Sequence, residues 1–211
     1  MTLRRKKFVF MVAVFLCVVF LLAGCSHRRP PERPDNICEI FREHRDWYRK
    51  ADASFRKWGI PIPVMMAIMY QESSYQARVR PPRTTCLWVL PGPRPSSAFG
   101  YAQALDSTWD WYRQSTGNTR ARRSDFGDAI DFIGWYCNVS HTRCGIARDD
   151  AYSMYLAYHE GHGGYNRGTY RTKKWLLDVA GRVRSRARTY QQQLASCERE
   201  FQRTGFCLWP F

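Results

Sequence analysis

The chain has 211 residues, 45% of them hydrophobic and 24% charged, with 33 Lys and Arg against 18 Asp and Glu for a formal net charge of +15. That length fits one domain with a full core, and the basic excess suits an anionic partner such as nucleic acid, wall polymer or envelope lipid, although scattered surface arginines account for much of it. The first residues exclude nucleic acid: Arg4, Arg5, Lys6 and Lys7 precede an unbroken apolar stretch from Phe8 to Leu22 and the small residues Ala23 and Gly24, the order of an export signal.

The uncharged stretch falls short of the roughly 20 residues that a bilayer core requires. Leu22-Ala23-Gly24-Cys25 resembles the lipobox of bacterial lipoproteins. The resemblance implies cleavage before Cys25, acylation of its thiol and new amino end, and a membrane anchor of buried acyl chains. If the resemblance extends to the proteobacterial sorting pattern, Ser26 in place of Asp implies the periplasmic face of the outer membrane of a Gram-negative bacterium. Residues 1–24 carry four basic residues and no acid, so their removal leaves 187 residues with a charge of +11. Residues 26–35 turn to Arg and Pro, with Glu32 among them and no apolar side chain besides the prolines, as an extended tether would. The expected division is a signal over 1–24, lipidated Cys25 and tether over 25–35, and one domain over 36–211.

Within that domain, Ile37, Ile40, Phe41, His44, Trp47, Tyr48, Ala51, Phe55 and Trp58 recur at helical steps and predict one amphipathic helix ended by Gly59. Ile60-Pro61-Ile62-Pro63 forces an extended entry to the next helix, with Pro63 in its first turn. That helix, from Val64 to Met69, is apolar nearly all round and therefore central. Residues 78–97 contain five prolines and read as a long functional loop or short hairpin around Leu87-Trp88-Val89-Leu90. Further helices are expected from Asp106 or Ser107 to Gly117, after Asp125, and from Asp149 or Asp150 to the glycines at 161–164; a last long one runs from Trp175 through Leu194. Helices dominate, and the fold class is mainly α with a small loop or hairpin element.

Eight cysteines are present. Cys17 leaves with the signal and Cys25 is the lipidation candidate, so Cys38, Cys86, Cys137, Cys144, Cys197 and Cys207 remain for up to three disulfides in an oxidising compartment. Fifteen pairings are possible in principle. Cys137 with Cys144 and Cys197 with Cys207 would close short local loops, leaving Cys38 with Cys86. Zinc is the rival reading, but Cys137, His141 and Cys144 lack a fourth ligand at suitable spacing, so no metal or cofactor is expected. Asn138-Val139-Ser140 matches a glycosylation sequon, a pattern too short to carry weight.

Glu72 is the chemically informative residue. It is the only acid in the apolar run from Val64 to Tyr70 and its polar exit, where shielding from water favours the protonated carboxyl that a general acid needs. Three short motifs follow in order: Glu72-Ser73, then Gly100-Tyr101-Ala102-Gln103, then Ala157-Tyr158-His159-Glu160-Gly161. With the Pro95-to-Phe99 run and Thr108-Trp109 beside the second, they resemble the soluble lytic transglycosylase domain, a lysozyme-like fold that cleaves peptidoglycan; the likeness is strongest over residues 56–170. In that family the motifs read Glu-Ser, Gly-Leu-Met-Gln and Ala-Tyr-Asn-Ala-Gly. This chain departs from them at Tyr101, Ala102, His159 and Glu160, the last adding a possible second carboxyl. His159-Glu160-Gly161-His162 is not a zinc-protease helix, because its histidines are three rather than four residues apart.

The resemblance implies cleavage of the MurNAc–GlcNAc β-1,4 bond by one glutamate, which protonates the leaving oxygen and then deprotonates the muramyl 6-hydroxyl as it closes a 1,6-anhydro ring. Glu72 would be that residue, with Ser73, Gln103, Tyr158 and Tyr101 orienting it or lining the groove. The partners implied are peptidoglycan glycan strands, a membrane through the lipid anchor, and an envelope protein assembly. Two alternatives stay open. One is a hydrolysing muramidase in which Glu160 activates water; the other is a non-catalytic wall-binding lipoprotein.

Overall fold

The computed structural model describes residues 29–83, 85–86, 90–91 and 93–202. The expected signal, Cys25 and Cys207 lie outside them. Among the described residues the fold is helical: α1 (Ile37–Glu43), α2 (Arg45–Trp58), α3 (Ile62–Ser73), α4 (Asp106–Thr116), α5 (Phe126–Cys144), α6 (Ala151–Arg167) and α7 (Lys174–Gln202). Two short antiparallel strands, β1 (Thr85–Cys86) and β2 (Leu90–Pro91), pair between α3 and α4, which favours the short hairpin of the two forms expected there.

The single helix expected over 37–58 is two. His44 leaves helical geometry (φ −120°, ψ 73°) and ends α1 by donating its N–H to the Ile40 carbonyl at 2.9 Å, while its own carbonyl accepts the Trp47 N–H at 2.9 Å. The apolar period survives as far as Ala51, because the two helices bury Ile37, Ile40, Phe41, Trp47, Tyr48 and Ala51 on one stripe, in which Trp47 stacks on Phe126 with ring centroids 4.0 Å apart; Phe55, expected on that face, is left exposed and Ser54 is buried beside it. Helix α3 is the hub, packed on α7, α5 and α6. Met65, Met66, Ile68 and Met69 on it are fully buried, each contributing about 1.5–3 kcal/mol of transfer free energy. Such burial overrides the low helix propensity of its proline-led start.

Caps set the register of the other site-bearing helices. The Asp125 carboxylate accepts the Asp128 N–H at 3.1 Å to start α5, and Asp150 accepts from Tyr152 and Ser153 at 3.2 and 3.1 Å to start α6; each such cap is worth about 1 kcal/mol. The sequence predicts that helix α6 stops within the glycines at 161–164. It instead kinks at Gly161 and continues to Arg167, since Gly161 takes φ 72°, ψ 158°, a conformation essentially confined to glycine, and helical geometry resumes after it.

The disulfide pairing differs from expectation. Cys38 on α1 is bonded to Cys197 on α7 across a sequence separation of 159, which excludes both Cys38–Cys86 and Cys197–Cys207. Cys137 and Cys144 are free thiols. Both lie on α5, where seven residues span about 10 Å, beyond the roughly 7 Å that a disulfide bridges. The segment before α1 is also docked. Asp35 pairs with Arg186 at 2.7 Å, the Asp35 carbonyl accepts from Gln193 at 3.1 Å and the Pro34 carbonyl accepts the Tyr190 hydroxyl, so chain expected to belong to the tether lies against α7.

Candidate active site

A groove of about 500 Å³ opens at the C-terminal end of α3. Ala98, Gln103, Ala104, Leu105 and Thr108 form one wall, Phe132 and Tyr136 of α5 form the floor, and Tyr158 to Gly161 of α6 form the other wall. Glu72, the penultimate residue of α3, reaches into it, partly accessible on the groove side and crowded by protein elsewhere. Burial pushes its carboxyl up from 4.5 to about 7, against the pull of a hydrogen bond from the Tyr155 phenol, which favours the charged form. An acid titrating near neutrality can both give and take a proton without a large penalty.

The three motifs meet physically. The Ser73 hydroxyl donates to the Tyr101 carbonyl at 2.7 Å and also approaches the Met69 carbonyl at 3.2 Å, tying the end of α3 to the second motif. The Tyr158 hydroxyl donates to the next carbonyl, that of Ala102, at 2.6 Å. Side chains from the first and third motifs thus hold consecutive peptides of the second. That second motif is a tight turn closing the Phe99–Ala104 bridge. Gly100 (φ 78°) is required in it, because a Cβ there would lie 2.1 Å from the Arg123 carbonyl oxygen. Gln103 adopts φ 45° and its amide donates to the Gly100 and Val79 carbonyls at 2.7 and 3.1 Å.

The candidate residues therefore divide. Glu72, Gln103, Tyr158 and Glu160 line one groove. Ser73 is buried and spends its hydroxyl on backbone. The Tyr101 ring is buried edge-on between Trp47 and Phe126, so it offers the groove no surface and contributes through its carbonyl. Burial and the nearby Glu72 carboxyl keep the Tyr158 phenol neutral, well above its ordinary pKa.

Tyr155 is the residue that sequence reasoning passed over. It reads as one more apolar position of α6, yet it stands three residues before Tyr158 and hence on the same helical face, which is the signal that would have found it.

Glu160 is electrostatically unlike Glu72. Desolvation works against its charge, since the side chain is only 4% exposed, but bonds from Lys173 at 2.7 and 2.8 Å, from the Thr169 hydroxyl and with His159 at 3.0 Å outweigh it and lower the carboxyl to about 2. The pKa values of two carboxyls in one groove are thus driven apart, that of Glu72 up toward neutrality and that of Glu160 down, so that Glu160 is ionised at neutral pH.

A helical frame with an acid presented at the end of its central helix, beside a clamped turn and under a tyrosine-bearing helix, places the chain in the lysozyme-like class of glycan-cleaving domains. A family model described as the transglycosylase SLT domain matches residues 13–197, and the chain belongs to that family. No curated protein matches the chain. Membership brings a lytic transglycosylase-type activity, with peptidoglycan glycan strands as substrate.

Proposed function

We propose that the protein is a membrane-anchored lytic murein transglycosylase in which Glu72 is the sole proton-transfer residue. In the first step Glu72 gives its proton to the glycosidic oxygen as the bond from C1 of MurNAc to O4 of GlcNAc breaks, leaving a carboxylate beside an oxocarbenium-like sugar. In the second, the 6-hydroxyl of the same MurNAc adds to C1 and its proton passes to the Glu72 carboxylate. The ring closes, the acid is restored and no water is consumed. Tyr155 stabilises the intermediate carboxylate, and Tyr158 and Gln103 shape the wall against which the sugar lies.

The contrast between the two carboxyls carries this reading. A hydrolytic route would ask Glu160 to activate water, and a carboxylate titrating at about 2 and already clamped by a lysine is a poor general base. Glu72, at about 7, suits the acid-then-base role. The anchor at Cys25 and a place on the periplasmic face of the outer membrane complete the proposal and rest on the lipobox-like sequence.

Digestion of murein sacculi, with products read by mass spectrometry, tests it. The wild-type protein should release 1,6-anhydro ends, and Glu72→Gln should lower the rate by at least about 10²-fold. Reducing ends would instead assign hydrolysis, and an unchanged rate in the variant would remove Glu72 from the chemistry.

A further inference from the structure

We propose that Trp175 forms an additional glycan-binding subsite, a stacking platform for a sugar ring of the strand beyond the groove; the inference rests on the transglycosylase reading above. The groove, at about 500 Å³, has the size of a small-molecule pocket, roughly 300–1,000 Å³. A glycan strand is a polymer and must continue over adjoining surface. The wall on the α6 side continues outward through His159, which lines the groove and meets Trp175 edge-on at 5.1 Å between ring centroids. Trp175 is 55% exposed, more than Phe55 and Leu105, the other exposed large hydrophobics among the described residues.

An indole left this open contributes little to the core. Trp175 is nevertheless well placed. Leu176 beside it is fully buried and fixes the start of α7, while Lys173 just before it is pinned to Glu160, which in turn contacts His159. The groove's own polar network therefore sets where the indole stands. A rigid aromatic face with one polar edge suits the apolar C–H face of a pyranose ring with its rim of hydroxyls. Leu105, 43% exposed, lies in the opposite wall, so exposed apolar surface flanks the groove from both sides.

The test measures binding of peptide-free glycan strands of graded length in a Glu72→Gln background, with and without Trp175→Ala. Long strands should bind roughly fivefold or more weakly once the indole is gone. The shortest strands that still fill the groove should bind equally well, Trp175→Tyr should restore most of the loss, and thermal stability should stay the same because the side chain is largely exposed. Equal weakening at every length would mean that Trp175 acts by supporting the groove wall, and unchanged binding at every length would mean that no sugar reaches it; either overturns the subsite. Cleavage by Glu72→Gln at the wild-type rate would refute the catalytic proposal instead, and the length-dependent comparison of binding would still decide the subsite.

Discussion

Glu72→Gln should make the protein more stable above neutral pH, because the acid is poised at the expense of folding. The Glu72 carboxyl rises from 4.5 to about 7 on burial, so the native state holds this proton more tightly than the unfolded chain does. Stability from that proton is complete below about 4.5, declines as pH rises toward about 7 and is gone above it. At about 1.4 kcal/mol per pH unit the loss amounts to about 3 kcal/mol. Gln, nearly isosteric with the protonated acid and unable to ionise, retains that stability throughout. Urea denaturation of both proteins between pH 4 and pH 8 should therefore show curves that nearly coincide at the acidic end and separate by about 3 kcal/mol at the other. Glu160 and Glu200, whose pKa values are lowered, lose their stabilisation as pH falls. They do so in both proteins and cancel in the difference. Parallel curves across the range would refute burial as the force that keeps Glu72 protonated.

Other perturbations probe the neighbours. Tyr155→Phe removes the hydrogen bond that favours the Glu72 carboxylate, so the alkaline limb of the pH–rate profile on sacculi should move to higher pH; a shift to lower pH would contradict the assignment. Lys173→Met strands the Glu160 carboxylate and should cost about 1–3 kcal/mol in urea denaturation, a modest figure because Lys173 is itself 39% exposed, with the Lys173→Met/Glu160→Gln pair recovering most of it. Gly161→Ala should cost about 1–3 kcal/mol in the same assay although open space surrounds the site, since the penalty comes from the backbone angles and not from a clash.

Much of the frame was legible because it follows local rules. The apolar run of α3, the carboxylates that cap α5 and α6, and the glycines that end α2 and α4 are signals carried within a few residues. The groove residues Glu72, Gln103 and Tyr158 were legible through the order of three motifs, whose meaning is that they touch. What escaped depends on distant partners. Ser73 and Tyr101 are expected to orient the acid or line the groove, and which of the two is decided by distant partners: their side chains turn inward to a peptide carbonyl and an aromatic cluster, away from the groove surface. Glu160 could be seen as a carboxyl but not as a quenched one, for Lys173 and Thr169 approach it only when the chain turns back after α6. Cysteine pairing by nearest neighbours failed because a helix holds Cys137 and Cys144 apart, while packing of α1 on α7 brings the ends of the fold together.

That last bond has a consequence for handling the protein. Because Cys38 is joined to Cys197, a peptide bond cut once between them does not release a fragment: the molecule keeps its mass on a non-reducing gel, and its two pieces stay at the high effective concentration of a tethered pair. Damage by a protease would show itself only after thiol treatment. A preparation can therefore be nicked throughout and still look intact.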